Sequence, residues 1–262
     1  LITPESTVSV GAGLATGDSR DRSRFGIYNG MRKESAYALV DVDYVRRDNA
    51  SGTWTTFEGR GLGLEGRELR FGQYKQGDWK YFGEYNETVR RNPYTINTAL
   101  QGAGTTTPVV NLLAAPGTGT DLELKIRRLG LGLGFEKWLS RELQLELSLR
   151  SEDRDGARLF GRGFTCPSGA APTPVCTAAA AGVNQWALLM LPEPINSTTR
   201  QIDAKLNYAT EKLSFTAGYY GSFYANANGN ITPTVPGTLN NGLGTPVTID
   251  TQPQEIPGDT IL

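Results

Sequence analysis

The sequence predicts an all-β fold: an antiparallel transmembrane β-barrel with about nine strands visible. Three observations predict it. Several segments alternate strictly between apolar and charged side chains. The connections between them sort into short and long by parity. No apolar run approaches the roughly 18 residues of a membrane helix, and closed barrels also satisfy every backbone polar group inside a bilayer.

Residues 141–150 alternate most cleanly. Leu143, Leu145, Leu147 and Leu149 fall on one side, and Glu142, Gln144, Glu146, Ser148 and Arg150 on the other, because a strand sends successive side chains to opposite faces. Ten such residues rise ~33 Å, or ~23 Å when tilted by 45°, close to the apolar band of a membrane barrel.

The other strands are read in order. Residues 7–15 carry Val8, Val10 and Leu14 in alternation. In 35–47, Ala36, Ala38, Val40, Val42 and Tyr44 oppose Asp41 and Asp43. In 53–64, Thr55, Phe57 and Gly59 oppose Glu58 and Arg60. In 67–76, Leu69 and Phe71 oppose Glu68 and Arg70, and in 79–87, Trp79, Tyr81 and Tyr85 oppose Lys80, Glu84 and Asn86. Across 121–136 the alternation changes phase at Arg127-Arg128, which reads as a β-bulge. The run described above occupies 141–152. In 198–209, Ile202, Ala204, Leu206 and Tyr208 oppose Gln201, Asp203, Lys205 and Asn207. In 213–224, Leu213, Phe215, Ala217, Tyr219 and Phe223 oppose Ser214, Thr216 and Ser222.

Every even-to-odd connection is short: 48–52, 77–78, 137–140 and 210–212. The long ones, 16–34, 88–120, 154–197 and 225–262, fall on the other side, together with the tight 65–66. Outer-membrane barrels have short periplasmic turns and longer extracellular loops. The expectation is therefore one barrel domain over 1–262. Trp54, Trp79 and Trp138 sit beside the short turns, where an interfacial girdle is expected, with Tyr85, Phe223 and Tyr224 at the other strand ends.

An Arg or Lys facing lipid at the midplane costs about 2–4 kcal/mol, which sets the orientation of every strand. The expected lipid-facing set is Val40, Val42, Leu69, Phe71, Tyr81, Leu143, Leu145, Leu147, Leu149, Ile202, Leu206 and Phe215. The expected lumen-facing set is Asp41, Asp43, Glu58, Arg60, Glu68, Arg70, Lys80, Glu84, Glu142, Glu146, Arg150, Asp203 and Lys205. Charges pointing inward require a wet or protein-filled interior, since a dry core would cost several kcal/mol per ion.

Composition excludes several functions. Lys and Arg number 26 against 27 Asp and Glu, without the basic excess of a nucleic-acid surface. There is no histidine, which removes Ser-His-Asp triads, imidazole bases and most zinc or haem ligation. Cys166 and Cys176 lie in a Pro/Ala/Thr-rich stretch and are read as a disulfide in an oxidising compartment, ahead of free thiols or a metal site. The chain starts at Leu1 without a basic and apolar leader, so a signal peptide is expected to have been removed or left out. Gly61-Leu-Gly-Leu-Glu-Gly66 matches a dinucleotide fingerprint, but alternating residues follow it instead of a helix, so it reads as a strand end and turn. Paired carboxylates such as Asp41 and Asp43, or Glu142 and Glu146, have glycosidase-like spacing, yet seven of the nine strands carry charges on one face and a wet wall explains them together. Arg127-Arg128 and the stretch 150–162 are arginine-rich. They read as solvated strand ends, with contact to an anionic partner (haem propionates or an acidic cytochrome patch) as the sharper alternative.

Phe25-Gly-Ile-Tyr-Asn-Gly30, Glu58-Gly-Arg-Gly-Leu-Gly-Leu64, Arg67-Glu-Leu-Arg-Phe71, Asp155-Gly-Ala-Arg-Leu-Phe-Gly161 and Pro194-Ile-Asn-Ser-Thr-Thr-Arg200, in this order, resemble the decahaem-associated outer-membrane proteins of the MtrB/PioB family over residues 8–224. The resemblance implies a bacterial outer-membrane barrel that sheathes a periplasmic multihaem c-type cytochrome inside its lumen. Such a conduit carries electrons across the membrane, often to a surface multihaem cytochrome. It implies no enzyme activity and no cofactor in this chain, the haem being carried by the partner. Family barrels are longer, so nine strands are expected to be the N-terminal part of a larger barrel. Neither Cys166 nor Cys176 corresponds to the family's N-terminal Cys-x-x-Cys, so no redox role carries over. A general porin and a surface structural or adhesion barrel are the alternatives.

Overall fold

The computed structural model describes residues 4–28, 36–111, 113–166, 185–235, 247–248 and 260–261. Its main sheet is antiparallel and follows chain order. It comprises β1 (Thr7–Leu14), β2 (Ala36–Asp48), β3 (Thr53–Arg60), β4 (Arg67–Lys75), β5 (Trp79–Arg91), β8 (Lys125–Trp138), β9 (Leu143–Cys166), β10 (Gln185–Ala209) and β11 (Ser214–Asn226). A two-residue strand, β14 (Thr260–Ile261), pairs with Phe223 and Tyr224 of β11. Two short hairpins stand apart: β6 (Ile96–Thr98) with β7 (Thr120–Leu122), and β12 (Thr234–Val235) with β13 (Val247–Thr248). The main sheet is open, with β1 at one edge.

The nine strands coincide with the nine read from alternation, but their ends differ where the pattern ends before the ladder does. β9 runs to Cys166 and β10 starts at Gln185, so much of the expected loop 154–197 is a paired hairpin. Past about Asp153 the strict alternation of apolar and charged side chains stops while backbone pairing continues. β3 stops at Arg60, because Gly61 takes φ +62 and Leu62 N donates back to Val40 O at 3.0 Å. The tight turn expected at 65–66 is thus a connection over 61–66. The bulge expected at Arg127-Arg128 is absent: β8 stays in unbroken register with β5 and with β9 through both arginines. Within the expected loop 16–34 lies one short helix, α1 (Ser19–Phe25), capped by Asp18 Oδ1 accepting from Asp21 N at 2.8 Å. Cys176 lies outside the described residues, so the predicted disulfide does too; Cys166 ends β9.

The fully buried side chains are gathered at the long-loop end. Leu191, Leu124, Val110, Pro108 and Pro233 are buried together with Glu193 and Ser197. The loops around them are tied by backbone bonds: Val110 N to Thr234 O at 2.8 Å, Thr234 N to Pro108 O at 2.9 Å, and Ala227 N to Asn196 O at 2.9 Å. The loops 92–124 and 227–235 thus form a packed cap. Leu191 and Glu193 lie on β10 at the parity of Asp203 and Lys205, so this cap sits over the upward continuation of the charged face. Arg158 Nε donates to the buried Glu193 carboxylate across the β9–β10 hairpin. Arg158→Ala should leave that acceptor without its donor and cost about 1–3 kcal/mol. The check is limited proteolysis, with cleavage in 92–124 faster than in wild type and the barrel strands uncut.

Candidate functional site

Register carries one face across the whole sheet, because residues opposite each other in a ladder share a face. Leu147 of β9 lies opposite Phe135 of β8 and Ala204 of β10, and Leu149 opposite Leu133 and Ile202. Tyr81 of β5 lies opposite Phe135 and Gln73, and Phe71 of β4 opposite Phe57. Val42 of β2 lies opposite Gly59 and Val8. All twelve residues of the expected lipid-facing set therefore occupy one side of the sheet. Its large apolar groups are bare to an unusual degree: Val10 is 76% exposed, Leu133 63% and Phe215 59%. An apolar surface of that extent marks a face built to be covered.

Charges bound this face above and below. On β8 it is free of charge between Lys137 and Arg127, ~23 Å of height at a 45° tilt and 3.3 Å rise per residue. Lys75 and Arg46 mark the same lower boundary, and Arg67, Glu87 and Arg200 the upper one. At the upper boundary Glu87 is buried and bonded to Arg67 Nε at 2.9 Å, Tyr85 Oη at 2.9 Å and Arg127 Nε at 2.5 Å. Alternation along single strands does not reveal this cluster, which needs three strands in register.

The opposite side carries twelve of the thirteen expected lumen residues. Asp43 lies opposite Glu58, Glu58 opposite Arg70, Arg70 opposite Glu84, and Arg60 opposite Glu68. Arg60 grips Asp43 with two nitrogens, at 2.5 and 3.0 Å, while Asp41 accepts from Gly61 N at 2.8 Å. Lys80 reaches Glu136 at 2.9 Å, Asn207 donates to Glu146 at 2.7 Å, and Lys205 pairs with Asp203 at 3.1 Å. Glu142, the thirteenth, stands one residue before β9, where its backbone carbonyl still accepts from Ala209 N of β10 at 2.8 Å and its side chain accepts from Ser140 Oγ at 3.2 Å.

The tryptophan girdle is also corrected. Trp79 alone of the three is on the apolar side, stacked on Tyr81 at 5.4 Å. Trp54 and Trp138 have the parity of the charged face. Trp54 stacks on Tyr74 at 6.2 Å, with Arg47 over its ring at 5.3 Å. Tyr224 likewise lies on the charged side, opposite Thr199. Turn proximity in sequence gives height along the wall but not face.

The charged side is the concave one. Two grooves lie on it, of about 340 and 400 Å³, meeting at Arg150 and Gln201. Glutamates 84, 136, 146 and 152 line them, with Asp203 and Lys205. Gly130 and Gly132 line the second groove, and with Gly134 they form a glycine lane over which β5 side chains lean. A Cβ on Gly134 would fall 2.1 Å from the Phe82 ring, and one on Gly130 2.2 Å from Asn86 Oδ1. Gly134→Val should therefore disrupt the β5–β8 ladder. The check is loss of amide protection at Phe82 and Gly83 relative to wild type.

At the short-turn end, Asp78 is hydrogen-bonded by Lys137, which holds its carboxyl below the ordinary range, with Lys75 helping and desolvation opposing. A depressed folded-state pKa adds stability above the unfolded value near ~3.9, and that stability is lost as pH falls through the folded value. Asp78→Asn should accordingly lower stability at neutral pH, where the ionised carboxylate pairs with Lys137, and flatten the acid limb of a stability-against-pH profile, so that variant and wild type converge well below about pH 4.

Among the described residues no group of three or more His, Cys, Asp or Glu is placed to hold a metal ion. No helix is long and apolar enough to cross a membrane, which says nothing of crossing by strands. No curated protein is matched by the sequence. Residues 18–246 match the family described as outer membrane beta-barrel porin, MtrB/PioB. With one bare apolar face of bilayer height, one charged concave face and a match over most of its length, the chain belongs to the MtrB/PioB family of bacterial outer-membrane β-barrels.

Proposed function

We propose that this wall sheathes a periplasmic multihaem c-type cytochrome and anchors it in the outer membrane, as the insulating scaffold of a trans-membrane electron conduit. The observation that carries the reading is the concave face, which presents acids and bases in near balance across seven of its nine strands, β2 to β5 and β8 to β10. Such a wall suits the mixed surface of a protein more than a single ionic solute. The sheath does no redox chemistry itself. It has no histidine to ligate iron, so the haem belongs to the partner. The apolar face meets lipid, and the packed cap stands at the cell-surface mouth, where a surface cytochrome could receive electrons. Catalysis has no part in this role.

The test is purification of the protein at its full native length from outer membranes in detergent. A co-purifying protein with a c-type haem spectrum, in stoichiometric amount, is expected. Its consistent absence would end this reading. The family description favours a second one, a porin whose grooves conduct solutes. Planar-bilayer recording separates them: the native complex should show no steady open pore as a sheath and a large one as a porin.

A further inference from the structure

One part of the concave face is not neutralised from within. Register sets Arg128 of β8 directly opposite Arg154 of β9. On their far sides stand uncharged residues, Thr88 and Ser197. Arg90, two residues beyond Thr88 on β5, has the same parity and flanks them. Residues opposite each other in a ladder hold their Cβ atoms about 4.5–5.5 Å apart, and like charges so placed destabilise the pair.

The wall holds two other like-charge pairs and relieves both internally: Asp43 lies opposite Glu58, but Arg60 grips the first and Arg70 stands opposite the second. Glu136 lies opposite Glu146, but Lys80 reaches the first at 2.9 Å, and Asn207 donates to the second at 2.7 Å. The arginine pair has no such relief. Among the described residues, Arg90, Arg128 and Arg154 make no ion pair. Arg154 Nε is shielded from solvent and donates to nothing. Of the nearby carboxylates, Glu193 is held by Arg158, and Glu87 is held by Arg67 and Arg127 on the other side of the sheet. Glu152 lies along the groove wall without reaching an arginine.

We propose that Arg128 and Arg154, flanked by Arg90, form a carboxylate-binding site on the concave face, occupied by acidic side chains of the protein that the wall encloses. The inference rests on the sheath reading and names a contact within it. Guanidinium is well matched to carboxylate. Each guanidinium presents a planar fork that pairs both carboxylate oxygens, and it cannot relieve the repulsion by losing its proton. The occupant is a protein, because the site lies on an open wall where a free anion would be held by exposed charges alone. Acidic side chains are carried there by the rest of the interface.

The experiment uses the full-length protein in outer membranes, comparing wild type with the double variant Arg128→Gln/Arg154→Gln and with Arg127→Gln. Arg127 is the adjacent arginine but faces outward. The enclosed protein is captured on the tagged barrel and washed with rising salt. The salt giving half release should fall at least about twofold for the double variant and stay unchanged for Arg127→Gln, because ion pairs are screened by salt. Heat-modifiable migration confirms that each barrel is folded. Should the double variant not fold, Arg128→Lys/Arg154→Lys replaces it; that variant keeps the charge, loses the fork and should also release at lower salt. Equal release from wild type and variant overturns the site while the sheath reading stands. Wild-type protein without any occupant overturns both. If inorganic phosphate at millimolar concentration raises wild-type thermal stability, leaves the double variant unmoved, and the release profiles coincide, the site takes small anions and the protein ligand is wrong.

Discussion

Leu147→Arg should cost about 2–4 kcal/mol of stability in a bilayer, the penalty for a cation on the lipid side near mid-membrane. Leu147 lies on the apolar face between Phe135 and Ala204, inside the charge-free band. Its long-chain replacement would have to bend toward the headgroups along the wall, which recovers part of the cost. Ser148→Arg is the matched control. Ser148 sits one residue on, on the charged face, directly opposite Asp203 and lining the groove, so the new guanidinium meets a carboxylate and the open groove. Urea titration of the protein refolded into phosphatidylcholine vesicles measures both. The midpoint should drop for Leu147→Arg and hold within error for Ser148→Arg. Equal losses would mean that the two faces do not differ in environment, and the membrane assignment of the apolar side would fall.

Gly156→Ala is the second large effect, expected at about 3 kcal/mol or more. Gly156 adopts φ +128, a conformation L residues enter only at a cost of about 1–3 kcal/mol. An added Cβ would also lie 2.0 Å from the Lys125 carbonyl oxygen, a backbone atom that cannot swing away. Here β9 leaves the shared sheet and continues as the β9–β10 hairpin: Gly156 is the last residue paired with β8, opposite Ile126, while pairing with β10 goes on. Alanine should unzip the upper end of β8 from β9 and loosen the cap above. Gly117→Ala separates the causes, since Gly117 has φ +85 with open space around it and should lose only the conformational part. Hydrogen exchange at Ile126 and Arg127 reads the result. If Gly156→Ala costs no more than Gly117→Ala, the close approach of β8 and β9 is not a constraint on the fold.

The nine-strand order was legible because the bilayer imposes a rule on every second residue. Wherever hydrocarbon lies on one side, an apolar side chain must recur with period two, and the runs around Leu143–Leu149 and Ile202–Leu206 record it directly. Where that pressure ends, the period ends with it. The hairpin past Asp153, the cap around Leu191 and the helix Ser19–Phe25 obey local packing and capping, which leave no long-range period. At Glu142 the alternation runs one residue past the strand, which begins at Leu143, while the Glu142 carbonyl still accepts from Ala209 N of β10.

The sequence by itself determined which residues share a face, since parity along a strand is a local property. Only the tertiary structure decided which charges meet. Glu87 finds Arg67 and Arg127, Glu136 finds Lys80, and Arg128 is set against Arg154, through pairings between segments from about 20 to more than 50 residues apart. Coulomb energy depends on distance in space, and register between strands is what converts separation along the chain into that distance.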